Sequence, residues 1–285
     1  EQVERGPHGQ ARPGLPVRAA EGDTVKLWLL NHLPTGWLAA LVVGGIILLA
    51  LVGSMLATRF FPVLAAGENN DMVGVVLGMF GAIYGIILAF VIVNLWTDLQ
   101  TARTVVAAEA SAVSQIVRDA EAFPPGTRTA VHDRVDNYVH TVVERQWPMM
   151  QVGRGDAAVT SQAVDDLYRV LAAYEPRSFS AQAFYQEALD SLNEVAAQRR
   201  ARISQSHDEL PALLQVLIYG GAAVIVLITL LYGVRDRRVR LLFVGSVAAL
   251  IGFSLLLVIV LDCPFAGDMS VSPQPFKASA LARFW

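Results

Sequence analysis

The stretch that decides the fold runs from Asp71 to Pro124, DMVGVVLGMFGAIYGIILAFVIVNLWTDLQTARTVVAAEASAVSQIVRDAEAFP. It carries no charge from Met72 to Trp96 and then continues without a breaker into a polar helix that Pro124 and Pro125 stop. Gly74, Gly78, Gly81 and Gly85 recur at offsets of four, three and four, which places them on one stripe of a helix with about 3.6 residues per turn. In a bilayer such a small-residue seam lets another helix backbone approach closely, because packing rather than hydrophobicity drives association there. The opposite face carries Ile83, Ile87 and Phe90, then Asn94, Thr97, Asp98 and Thr101. One line thus passes from bulky apolar to polar as the helix leaves the lipid, and it is expected to face a pore, with an apolar constriction and a wet lining. The plainer alternative is lipid contact or core packing for the Ile and Phe residues, and an interhelical hydrogen bond for Asn94.

Working outward, 285 residues with 54% hydrophobic and only 16% charged residues lie outside the usual soluble range. Four uncharged runs are long enough for a hydrocarbon core that needs roughly 20 helical residues: Thr35–Ala57, Met72–Trp96, Leu210–Gly233 and Leu241–Leu261. This predicts an all-α integral membrane protein with the lipid bilayer as its first partner. A net charge of -3 without a basic face excludes a nucleic-acid partner. A single cysteine, Cys263, excludes a disulfide framework and a cysteine-based zinc site.

Residues 1–22 are rich in Gly, Pro, Arg and Glu and read as a flexible tail. Residues 23–98 hold a short interfacial helix, capped by Asp23 or Thr24 with Leu27, Trp28 and Leu30 at the lipid surface, and the first two spans. The link from Thr58 to Asp71, with Pro62 and the polar run Gly67 to Asn70, makes those spans an antiparallel hairpin. Residues 99–209 form an extramembrane bundle inserted between spans two and three. Its apolar stripes are Leu99, Val106, Ala110, Val113, Val117; then Val131, Val135, Tyr138, Val142, in a helix from Thr127 to Trp147 ended by Pro148. Helices from about Asp156 to Tyr174 (Val164, Leu167, Leu171, Tyr174) and from about Ser180 to Ser206 (Tyr185, Ala188, Leu192, Val195) complete it. Residues 210–262 carry the last two spans, opened by Pro211 and given a close-packing point by Gly220 and Gly221, and 263–285 form an irregular tail.

An even number of spans puts the termini and the bundle on one side. Arg235, Arg237, Arg238 and Arg240 favour a cytoplasmic location for the loop between spans three and four, while Lys26, Arg103, Arg199, Arg200, Arg202 and Lys277 nearly balance them on the other side. Arg199 to Arg202 are expected to reach lipid phosphates, Glu109 and Arg118 to pair across the bundle, and Cys263 to be a small interfacial residue. Asp98 and Asp262 sit at span ends, ordinarily solvated or forming an acidic vestibule. His132, Asp136 and His140 share a helix face at metal-ligand spacing, but Asp133, Arg134 and Asn137 beside them read as solvated surface, so no metal and no cofactor is expected. No P-loop, zinc-protease, hydrolase-elbow or dinucleotide template occurs, and no catalytic residue is assigned. The non-channel alternative is a membrane-anchored sensor or scaffold whose bundle binds a ligand or partner. A proton-driven helper of the stator type would need an ionisable residue deep in a span, and the four spans contain none.

In order along the chain, LWLLNHLPTGW near the start, the glycine-rich span ending in VNLWTDL, Glu109, Arg118, Glu144 with Trp147-Pro148-Met149, Arg199-Arg200-Ala201-Arg202, Leu210-Pro211 and Leu261-Asp262-Cys263-Pro264-Phe265-Ala266-Gly267 resemble the bacterial bestrophin-like domain proteins, over roughly residues 26–276. That family is distantly similar to bestrophins, pentameric ion channels with a second-helix pore, a hydrophobic neck and a cytosolic helical domain. The resemblance implies a homo-oligomer, expected to be a pentamer, in a bacterial inner membrane with the bundle on the cytoplasmic side, passing inorganic ions, with Ile83, Ile87 and Phe90 as the neck. Thr97 stands where the family pattern leads one to look for Glu, and only Asp268 follows the Pro264 to Gly267 segment, so no calcium clasp is carried over.

Overall fold

The computed structural model describes residues 21–60, 70–208, 210–234 and 236–285, with side-chain surroundings from Val25 onward. The expected tail before residue 21, most of the first hairpin loop and Arg235 lie outside the described residues. Helices run in the order α1 (Glu21–His32), α2 (Thr35–Phe60), α3 (Asn70–Asp119), α4 (Pro125–His140), α5 (Trp147–Gln151), α6 (Ala158–Ala172), α7 (Phe179–Gln205), α8 (Ala212–Leu231) and α9 (Arg237–Leu261). There is no strand among the described residues. Four helices are long and apolar enough to cross a membrane: α2, the first half of α3, α8 and α9. Each covers its expected run within a few residues at either end.

The 50 residues of α3 form one helix, about 75 Å long at about 1.5 Å per residue. It packs most extensively on α7, while α2 pairs with α9. The apolar stripes read from the period are buried: Leu99, Val106 and Val113 of α3, Val131, Val135 and Tyr138 of α4, Leu167 and Leu171 of α6, and Ala188, Leu192 and Val195 of α7. One core therefore runs from the spans into the bundle without interruption, because the same α3 face continues through both.

A buried charge cluster ties α3 to its neighbours. Arg202 of α7 donates from Nε to Glu109 Oε2 at 2.7 Å and from Nη2 to Oε1 at 3.0 Å, and Tyr138 Oη donates to Oε1 at 2.6 Å. Both charged side chains are fully buried. Burial opposes the Arg202 charge, but the Glu109 carboxylate more than restores it and raises its pKa; burial and Glu109 together push the Tyr138 phenol well above its usual range. This corrects the expectation of lipid contact for Arg202 and Arg199; Arg200, between them, is exposed. Arg199 is also buried, donating to Thr160 Oγ1 at 2.6 Å and to the Ala157 carbonyl. Arg118, expected to pair across the bundle, donates to Ser279 Oγ at 3.1 Å.

Four further expectations are corrected. Pro148 does not end a helix: residues Thr141–Gln146 widen into a π turn, where the Trp147 N–H reaches the Val142 carbonyl, and Pro148 then falls in the first turn of α5. The wider turn absorbs a residue that lacks an N–H, so the chain continues with a change of register. Leu27 and Leu30 of α1 are buried on the packing of α2 and α9 rather than set at the lipid, and only Trp28 of the three is exposed. The helix also begins at Glu21, ahead of the expected cap at Asp23 or Thr24. The segment after α9, expected only as irregular chain, contains turns at Gln274–Lys277 and Ser279–Phe284 and supplies Phe265, Phe276 and Leu281 to the core.

Candidate functional site: the uncovered line of the second span

Helix α3 is held by one narrow stripe. Tyr84, Leu88, Val91, Leu95, Leu99 and Ala102 are buried, and Tyr84 is the anchor. Its ring lies where a Cβ on Gly221 would come within 2.6 Å, and its hydroxyl donates to the Ile218 carbonyl of α8 at 2.9 Å. The close-packing role expected of the Gly220–Gly221 pair thus falls on Gly221; Gly220 meets nothing within 4 Å.

The expected pore line lies roughly 110° around the helix from that stripe at 100° per residue. Ile83 and Phe90 are 59% and 69% exposed, Ile87 is half-buried, and Asn94, Thr97, Asp98 and Thr101 are exposed. The Thr97 and Thr101 hydroxyls donate to the Val93 and Thr97 carbonyls, both at 2.9 Å, which fixes their rotamers and leaves oxygen lone pairs outward. On the opposite flank a Cβ added at Gly78, Gly81 or Gly85 would meet no other part of the described residues within 4 Å, and one at Gly74 would meet the Tyr232 side chain at 3.6 Å. Among the described residues no helix of the same chain occupies the seam at Gly78, Gly81 and Gly85. Gly81 and Gly85 instead border an apolar groove of about 470 Å³, walled by α8 and α9 residues including Ile225, Phe243 and Leu250.

Where α3 leaves its apolar run, Asp98 lines a cavity of about 290 Å³ with Gln205, Asp208, Pro211 and Asp262. Gln205 and Asp208 were missed from sequence, since each lies over a hundred residues from Asp98 and only folding brings them beside it. The Gln205 side-chain oxygen is buried there without a hydrogen-bond partner. Asp262 is not a solvated vestibule acid. It is 6% exposed, ion-paired with Lys26 and accepts from the Leu210 N–H at 3.0 Å. Burial alone would lower the Lys26 pKa, but Cys263 and Asp262 beside it prevail and raise it. This knot joins α1, α9 and the entry to α8, so its role is to set the ends of the spans.

Asp136 lies 3.4 Å from His140 Nε2, but His132 does not join them. His140 Nδ1 bonds Glu144 at 2.8 Å and its Nε2 bonds the Phe284 carbonyl at 3.0 Å, whereas His132 faces Glu121 at 3.8 Å. Among the described residues no group of three His, Cys, Asp or Glu is placed to hold a metal. What the exposed line offers is physical: apolar positions at Ile83, Ile87 and Phe90 followed by amide, hydroxyl and carboxylate positions, on a helix whose adjacent stripe is buried.

No curated protein matches the chain. No solved structure matches it either. The Bestrophin-like domain matches over residues 44–276, from within α2 to the turn after α9. With most of its length inside that match, the chain belongs to the Bestrophin-like domain family.

Proposed function

We propose that the protein is a bestrophin-like ion channel: a homo-oligomer, five copies by the bestrophin pattern, in which α3 of each copy lines a central pore. The observation that supports this is the placement of one continuous line. Ile83, Ile87, Phe90, Asn94, Thr97, Asp98 and Thr101 lie on a face of α3 that its own chain leaves open, while Tyr84, Leu88 and Leu95 hold the helix from behind. Facing lipid, an exposed Asn94 would be costly inside an apolar span, and facing a water-filled axis it is not. Ile83, Ile87 and Phe90 form the constriction, which restricts flow by excluding water, and the polar positions form the wet lining. The open glycine seam on the other flank receives a neighbouring copy.

In this reading four spans cross a bacterial inner membrane, with the bundle inserted between spans two and three and lying with both flanking segments on the cytoplasmic side. Conduction is passive, of inorganic ions, and needs no cofactor. No reaction is assigned to the protein. The test is planar-bilayer recording from purified, reconstituted protein under a potassium chloride gradient. Currents are expected, larger for Ile83→Ala and Phe90→Ala. Unchanged currents would remove those side chains from the constriction, and silence over the voltage range would turn the reading to a membrane-anchored sensor or scaffold.

A further inference from the structure

At the end of the spans away from the bundle four arginines outnumber the two described acids, Asp71 and Asp236. Arg59 closes α2, and Arg237, Arg238 and Arg240 occupy the start of α9. Val43 packs on Gly252 and Leu51 on Gly245, so α2 and α9 run antiparallel, and two further turns along α2 bring Arg59 level with Arg237. Arg59, Arg237 and Arg238 are exposed, and Arg240 is half-buried with its Nε shielded from solvent and without a partner. None of the four takes part in an ion pair among the described residues. At the bundle end three cations are used within the chain: Lys26 on Asp262, Arg202 on Glu109, Arg103 on the Met269 carbonyl.

The start of α9 adds its own field. Asp236 caps that end, its carboxylate accepting from the Arg238 N–H at 2.7 Å, but one carboxylate does not balance the first N–H groups, the positive end of the dipole and the three arginines beside them. An external anion adds to that neutralisation. We propose that this end of the spans is a binding surface for anionic phospholipid headgroups, formed by Arg59, Arg237, Arg238 and Arg240. The surface lies at headgroup depth because these residues flank apolar runs that fit the hydrocarbon core. It rests on the four helices crossing a bilayer and not on ion conduction.

The test is electron spin resonance of the full chain reconstituted in phosphatidylcholine, comparing spin-labelled phosphatidylglycerol with spin-labelled phosphatidylcholine at the protein boundary. Phosphatidylglycerol should associate several-fold more strongly, with the preference falling as salt is added. Each Arg→Gln change should weaken it by up to about fivefold, and Arg59→Gln, Arg237→Gln, Arg238→Gln and Arg240→Gln together should abolish it. The corresponding four Arg→Lys changes, which keep the charge, should retain most of it and decide the matter if the Gln variant fails to insert. Equal association of both lipids, or a preference unmoved by salt or by charge removal, overturns the proposal. A lipid preference in a protein that passes no current leaves this surface standing and removes only the channel.

Discussion

Glu109→Ala should be among the most destabilising single changes in the bundle. It removes three hydrogen bonds, of 2.6, 2.7 and 3.0 Å, and leaves the Arg202 guanidinium buried with no counter-charge. The remaining partner of that guanidinium is weak: Nη1 lies 3.1 Å from Met150 Sδ. Its centre is 6.0 Å from the Trp147 ring. Breaking one side of a buried pair costs about 3–5 kcal/mol, a large share of a typical stability of about 5–15 kcal/mol. Tyr138→Phe removes only the phenol hydrogen bond to a charged acceptor and should cost about 1.5–3 kcal/mol. Glu109→Leu combined with Arg202→Met removes both charges and should recover most of the loss, because the desolvation cost disappears with the attraction. The assay is urea unfolding of the detergent-solubilised protein followed by helical circular dichroism. A Glu109→Ala midpoint within about 1 kcal/mol of wild type, or a double variant no better than the single, would refute the reasoning.

The glycines make a contrasting pair. Gly81→Leu enters space that the chain leaves empty, so each chain should fold normally while assembly fails, as read by light scattering; an intact oligomer would contradict the seam. Gly221→Leu drives a side chain into the Tyr84 ring and should lower the stability of the chain itself by about 1–3 kcal/mol, measured by thermal unfolding. His140 should make docking of the C-terminal segment pH-dependent. Its pKa is raised by the hydrogen bond to Glu144, against burial, with the Phe284 carbonyl and Asp136 adding to the rise. The protonated ring donates to both Glu144 and the Phe284 carbonyl, so this contribution is complete below about pH 6.5 and is lost as pH rises through the raised folded value. Limited proteolysis after residue 270 should therefore quicken above neutral pH in the native protein and lose its pH dependence in His140→Gln; a flat native profile would sink this prediction.

Much of the fold is legible because membrane spans and bundle helices announce themselves through apolar length and period. Leu99, Val106 and Val113 lie on one stripe in the sequence and in one core in the structure. What escaped reading depended on partners distant in the chain. Glu109 is visibly a charged residue on an apolar stripe, yet nothing local says that Arg202, 93 positions on, meets it. For the same reason Arg202 looked like a lipid-facing residue, and Asp262 looked solvated until Lys26 was placed against it. Pro148 misled differently, since the breaker rule assumes an α-helical register and the π turn before it changes that register. The exposed side of α3 is in an intermediate position: its residues and their common face follow from spacing, whereas its exposure follows from where α7, α8 and α9 pack.

Asn94 gives the most direct test of the central claim, because it is an exposed polar side chain within the apolar run of α3. Planar-bilayer currents from the reconstituted protein should be altered in size or reversal potential by Asn94→Leu, which replaces a polar lining position by an apolar one while the oligomer remains intact. Identical currents from an intact Asn94→Leu oligomer would contradict a pore lined by α3.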